Sequence, residues 1–348
     1  MASPEHRPSG PAQRGVTIED VARAAGVGKS TVSNVLNGSG RVGEVARTRV
    51  LAMVEQLGYQ PHQGARSMRS RRTMRLAYLM PPIQLEPTNL IMMQFMQSLL
   101  TAGARQHYGI LVVAQEADSS YDIRRLAAGR SVDAFVLSEL QHDDPRVQLL
   151  CELGMPFACF GRTGPGQPQA WVDIDNVQAE ASAVRHVAER GYTRPGYVGY
   201  DSGNSWDRDR EAGFQAGLAA CGIRGEGAGM VRVTDDVSAR TTIRSFISSA
   251  RPDAVLTGSD KIAVIVYSVA AELNLVVGRD LAVTGFDGSV SGAILHPSLT
   301  SVVLPVDDIS QRIVSRATQQ IENGSDGEPG VIVPTWVRTG ASTPVRSS

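Results

Sequence analysis

The chain has 348 residues, 42% hydrophobic and 20% charged, which is the make-up of a soluble globular protein of two or three domains. Its three cysteines, Cys151, Cys159 and Cys221, have no paired spacing, so a disulfide framework and a thiolate zinc site are both disfavoured, and no apolar run is long enough to span a bilayer. A formal net charge of −1 conceals 12 basic against 5 acidic residues up to Arg75 and 22 against 30 beyond it, the signature of a polyanion-binding head on an anionic body.

Residues 1–15 are rich in Pro, Gly, Ser and charge and read as a disordered tail. They lack the apolar core of a secretion signal, so the expected place of action is the cytoplasm. Residues 16–60 carry apolar positions at helical spacing in three blocks. Thr17 caps a first helix with Asp20 at its third position, and Ile18, Val21, Ala22 and Ala25 form one face before Gly26 breaks it. A second helix begins near Lys29, turns Val32, Val35 and Leu36 inward, and closes at Asn37-Gly38. A third, Gly43 to Leu57, packs Val45, Val50, Met53, Val54 and Leu57 behind the pair and ends at Gly58.

Two short helices joined by a Gly-containing turn make a helix-turn-helix, whose second helix offers its early side chains to the major groove. Asn34 has the donor and acceptor to grip adenine, Lys29 can reach guanine or a phosphate, and Ser30, Thr31 and Ser33 suit either. Alone, such residues would equally be a solvated helix face; the basic segment that follows tips the balance to DNA. The run Gly26-Val-Gly-Lys-Ser-Thr imitates the end of a phosphate-binding loop, but Arg23 stands where the first glycine belongs and a helix, not a strand, precedes it.

Residues 61–73 open on Pro61 and continue as a short basic stretch, HQGARSMRSRRT, that would fold only with DNA and a partner segment present. The run VTIEDVARAAGVGKSTVSNVLNG, then GY-x-P, then ARSMRS, resembles the head and hinge of the lac/galactose repressor family of bacterial transcriptional regulators. That resemblance implies a dimer on a pseudo-palindromic operator, with Thr17, Asn37, Tyr59, His62, Ala65, Arg66 and Arg69 joining the residues at DNA. It also implies that Met68 stands where relatives wedge a leucine into the minor groove; methionine is apolar but more pliable. Asn34 and His62 depart from the family's usual residues, so operator preference does not carry over.

From residue 74 apolar runs alternate with amphipathic helices, the pattern of parallel βαβ units. Strands are expected at 75–80, 110–115, 134–139, 156–161, 196–200, 254–259 and 281–287, with no dinucleotide fingerprint after the first. The fold is therefore α/β: a small all-α head and, by the resemblance, a two-lobed periplasmic-binding-protein-like body with parallel sheets. The lobes comprise 74–173 plus 306–329 and 174–305 plus 330–348, with a ligand cleft between them. No cofactor is expected. The resemblance assigns Arg210, in R-E-A-G-F, and Asp260, after AVLTGS, to a small-molecule effector, most often a sugar, with Asn204 and Trp206 from the same lobe and Asn89 from the other. An interlobe ion pair is the alternative reading for Arg210 and Asp260. Asp287 in GFDG reads as a helix cap, and IMMQFMQSLL as a core or dimer-interface helix.

A transport solute-binding protein would share the body, but the basic head and the absence of a secretion signal speak against it. An enzyme is unsupported, since the six histidines are scattered and no nucleophile elbow occurs. The C-terminal VRTGASTPVRSS bears no heptads, so dimers rather than coiled-coil tetramers are expected.

Overall fold

The computed structural model describes residues 16–36, 40, 42–59, 72–80, 90–115, 119–164, 170–223, 229–234, 236–324 and 330–346. The chain divides into two compact units, Met1–Thr73 and Met74–Ser348.

In the first unit α1 (Ile18–Ala25), α2 (Lys29–Leu36) and α3 (Glu44–Gln56) enclose a core of Val21, Ala25, Val32, Val35, Val50 and Tyr59. Thr17 and Asp20 form the expected reciprocal cap: the Asp20 amide donates to Thr17 Oγ1 and the Thr17 amide to Asp20 Oδ2 at 2.9 Å. Gly26 ends α1 at φ +64°, a left-handed conformation that glycine adopts without Cβ strain. Val45 does not pack as expected; it is 72% exposed. At about 100° per residue, five positions place it some 140° around α3 from buried Val50.

In the second unit one lobe runs β1 (Arg75–Met80), α4 (Leu90–Arg105), β2 (Gly109–Ala114), α5 (Ser119–Ala128), β3 (Ala134–Leu137), α6 (Pro145–Glu152), β4 (Phe157–Phe160) and β5 (Ala170–Asp173). The other runs α7 (Asn176–Ala188), β6 (Pro195–Tyr200), α8 (Ser205–Ala220), β7 (Met230–Val233), α9 (Asp236–Ala250), β8 (Ala254–Thr257), α10 (Asp260–Glu272), β9 (Ala282–Asp287), α11 (Val290–Ile294) and β10 (Thr300–Val303). The chain then returns through α12 (Val306–Asn323), which packs on α4, β3, β4 and β5, and ends with β11 (Val331–Ile332) and β12 (Trp336–Arg338).

Each lobe holds a six-stranded sheet of matching order, β2-β1-β3-β4-β5-β11 and β7-β6-β8-β9-β10-β12, parallel except for β12 against β10. The crossovers fall after Asp173, before Val306 and between β11 and β12. The last lies beyond the expected Pro329, because Val331 and Ile332 still pair with Val172 and Asp173 of the first sheet. Within IMMQFMQSLL, Met92, Phe95 and Leu99 are core residues, whereas Met93 and Leu100 are about half exposed. No described helix is long and apolar enough to cross a membrane.

Candidate ligand cleft and nucleic-acid interface

In both sheets the strand order reverses at the first strand, between β1 and β3 and between β6 and β8, and connections leaving in opposite directions open a crevice at the carboxyl ends. The two crevices face one another as a cleft of about 1010 Å³, open mouth included. Ile91, Met92 and Phe160 give it an apolar wall on the first lobe; Tyr200, Trp206, Arg210, Ser259, Lys261 and Asp287 line it from the second.

Arg210 is a firmly anchored cation of the cleft. It is 6% exposed, donating from Nε to Asn176 Oδ1 at 2.9 Å and from Nη1 to the Gly258 carbonyl at 2.6 Å. The guanidinium carbon lies 3.6 Å from the Phe286 ring centre and 4.5 Å from that of Trp206, so two aromatic faces fix its plane. Asp287 Oδ1 stands 3.8 Å away, an ion pair too long for a direct hydrogen bond. Held this way, a planar donor can meet a ligand oxygen without reorganising.

Asp260 is not among the residues that line this cleft. It is 1% exposed, and its carboxylate is engaged: Oδ2 accepts from the Ser289 amide at 2.6 Å and its hydroxyl at 2.8 Å, and Oδ1 from Ser301 Oγ at 2.6 Å. Burial raises its pKa and these hydrogen bonds oppose the rise. The residue before it, Ser259, faces the cleft instead, capping α10 through Ile262 and meeting Tyr200 Oη at 3.0 Å. Asp287, read from sequence as a cap, lines the cleft at φ +112°, and α11 begins after Ser289. Burial pushes the Asp287 carboxyl well above the usual carboxylate range, with the Arg210 charge pulling it back.

Asn204 and Trp206 both line the cleft at the start of α8. Their donors converge on Glu139, which follows β3 on the opposite lobe: Asn204 Nδ2 at 2.6 Å and Trp206 Nε1 at 3.0 Å from Oε2. Glu139 was missed by motif reasoning, although its place just past a strand's carboxyl end was the available signal. Asp173, at the first crossover, also lines the cleft; burial raises it to about 6 against the pull of Arg162, whose Nε lies 2.9 Å from it. Asn89 lies outside the described residues.

In the head, Lys29 and Ser30 are exposed and Thr31, Ser33 and Asn34 half-buried along α2. Lys29 Nζ rests 2.6 Å from Glu19, a pair more than half exposed on both sides and so readily exchanged for a phosphate. Thr17 serves the cap. Tyr59, expected at DNA, is instead 7% exposed within the head core, its amide bonded to the Val54 carbonyl. Asn37, His62, Ala65, Arg66, Met68 and Arg69 lie outside the described residues.

Comparison with known proteins yields two family matches: bacterial regulatory proteins of the lacI family over residues 17–62, and the periplasmic binding protein-like domain over residues 184–343. The HTH-type transcriptional regulator CelR of Thermobifida fusca is 29% identical over 321 residues, spanning 88% of this chain and 93% of CelR. Catabolite control protein A of Staphylococcus xylosus is 26% identical over 323 residues, 92% of this chain and 96% of that protein. Among solved structures, a CelR–cellobiose complex superposes with a TM-score of 0.72 at 25% identity, covering 94% of this chain and 99% of that one. A lac repressor dimer bound to operator and an anti-inducer gives 0.82 at 18% identity over 95% and 100%, a likeness of fold. Head, body and relatives agree along nearly the whole described length, and the chain belongs to the lacI family of bacterial regulatory proteins.

Proposed function

We propose that this regulator is a cytoplasmic repressor that binds a pseudo-palindromic operator as a homodimer and responds to a sugar held between the lobes of its body. The observation that carries the effector reading is Arg210, a buried guanidinium fixed between two aromatic rings and turned into the cleft. Trp206 and Tyr200, edge to face with centroids 6.0 Å apart, offer an apolar surface to a sugar ring, while Ser259, Lys261 and Asp287 supply polar contacts around it. The cellobiose bound to CelR supports the sugar class. In the head, Lys29, Ser30, Thr31, Ser33 and Asn34 meet bases and phosphates, and residues 61–73, Met68 among them, supply the hinge. A sugar acts only through its different affinity for two lobe orientations, so its release of DNA measures that difference.

Selection of duplexes from random sequence by the full chain should enrich an inverted repeat. A panel of sugars that includes cellobiose should then release the protein from that duplex. Arg210→Ala should keep the operator affinity within about twofold and lose the sugar response, as expected when a buried ligand donor is removed from the unit that does not carry the helix-turn-helix. No enriched sequence would refute the operator reading; an undiminished sugar response in the variant would remove Arg210 from the site.

A further inference from the structure

The lobes meet across the cleft through a cluster whose chemistry is that of a ligand contact. Glu139 Oε2 accepts from Asn204 Nδ2 at 2.6 Å and from Trp206 Nε1 at 3.0 Å, joining the end of β3 to the start of α8. The backbone reinforces the same junction: Gln141 and Asn204 form an isolated antiparallel bridge, and the Ser205 amide donates to the Leu140 carbonyl at 3.1 Å. Glu139 holds φ at +53°, a left-handed conformation that disfavours a glutamate and persists where its surroundings enforce it. Asn204 occupies the N-cap position of α8 with no capping bond from its side chain, and its amide goes to the other lobe instead. A second crossing, Arg162 to Asp209 at 3.2 Å, has both partners 36% exposed and is weakened by solvent.

The two donors taken by Glu139 belong to residues that line the cleft, and they are what the second lobe would offer to a hydroxyl or carboxylate oxygen of a bound molecule. We infer that Glu139 is an interlobe latch that competes with effector: its carboxylate occupies the Asn204 and Trp206 donors from the first lobe and thereby holds the two lobes in one relative orientation. An effector that engages Asn204 and Trp206 must displace or share that carboxylate, and this links occupancy of the cleft to the freedom of the lobes. A charge-assisted pair of hydrogen bonds is strong enough to bias such an equilibrium, because each is about twice as strong as a neutral one. The inference rests on reading the cleft as the effector site, but the latch itself can be tested with neither DNA nor effector, so it can fail alone.

The test is hydrogen–deuterium exchange of the full chain, comparing the unaltered protein with Glu139→Ala, Glu139→Gln and Trp206→Phe. Glu139→Ala should accelerate exchange by about tenfold in segments 139–142 and 204–206, with smaller increases for the other two, while β1, β3, β6 and β8 keep their protection. Trp206→Phe retains the ring over Arg210 and removes only the indole donor, so it reports on the latch where truncation of Glu139 harms folding. Combining Glu139→Ala with Trp206→Phe should add nothing to Glu139→Ala alone. Unchanged exchange at 204–206 overturns the latch. So does acceleration spread through the strands, which assigns Glu139 to core stability, and so does additivity in the double variant, which denies a shared contact.

Discussion

Glu180, on the face of α7 turned to α8, is 1% exposed, and neither carboxylate oxygen has a hydrogen-bond partner among the described residues. Burial raises its pKa from 4.5 to about 8, although the Arg210 charge pulls the other way. The folded protein therefore holds a neutral carboxyl at neutral pH, whereas the unfolded chain ionises it above about 4.5. A raised folded pKa gives stability that is fully present below the unfolded value and is lost as pH climbs through the folded one, so this side chain weakens the body between about 4.5 and 8. Glu180→Leu removes the unpaired oxygens at similar volume. Urea unfolding at pH 5 and pH 8 should show a flatter pH dependence than the parent, with a gain of about 1–3 kcal/mol near pH 7. An unchanged slope between those pH values would mean that the carboxyl is solvated or ionised in the fold.

At the scale of elements, α8 approaches α7 closely because two glycines face it. A Cβ at Gly217 would lie 2.6 Å from Val184 Cβ, and one at Gly213 would run into the Val177 carbonyl oxygen. Gly217→Ala should lower stability by about 1–3 kcal/mol through overpacking, read as a reduced thermal midpoint of the body. A midpoint equal to the parent's would show that the helices separate without strain. This packing explains why R-E-A-G-F was legible: Arg210 points to the cleft, Gly213 permits the helix contact, and Phe214 stacks on Tyr197 with centroids 5.3 Å apart. Strands with long apolar runs, such as β1 and β9, were equally legible because both their faces are buried. AWVD, MVRV and TSVV were not: polar residues interrupt these four-residue strands, so they lack the apolar run that made the equally short AFVL and FACF stand out, and β11 and β12 are shorter still. Asp260 and Asp287 misled for a related reason. Asp260 stands three residues past β8 whereas Asp287 closes β9, and of the two it is Asp287, at φ +112°, that lines the cleft.

At the scale of the whole molecule, the charge asymmetry separates the two tasks. The basic residues concentrated up to Arg75 lie on a chain whose remainder is acidic, so affinity for duplex resides in the head while the body repels it. Counterion release makes that division measurable. A dimer whose heads and hinges neutralise six or more phosphates should lose about a thousandfold in duplex affinity between 50 and 200 mM salt. Lys29→Ala should weaken binding to any duplex and make the log–log salt slope shallower by about one for each phosphate that the ammonium had neutralised, whereas Asn34→Ala should cost about 1–3 kcal/mol at the selected sequence and little elsewhere. The separation is physical: an ammonium that can leave Glu19 for a phosphate senses only charge density, while the Asn34 amide of α2 matches the edge of one base. Salt titrations of selected and scrambled duplexes with both variants would decide it. If Asn34→Ala lowered both affinities equally, or Lys29→Ala left the slope unchanged, α2 would not be reading the groove in this orientation.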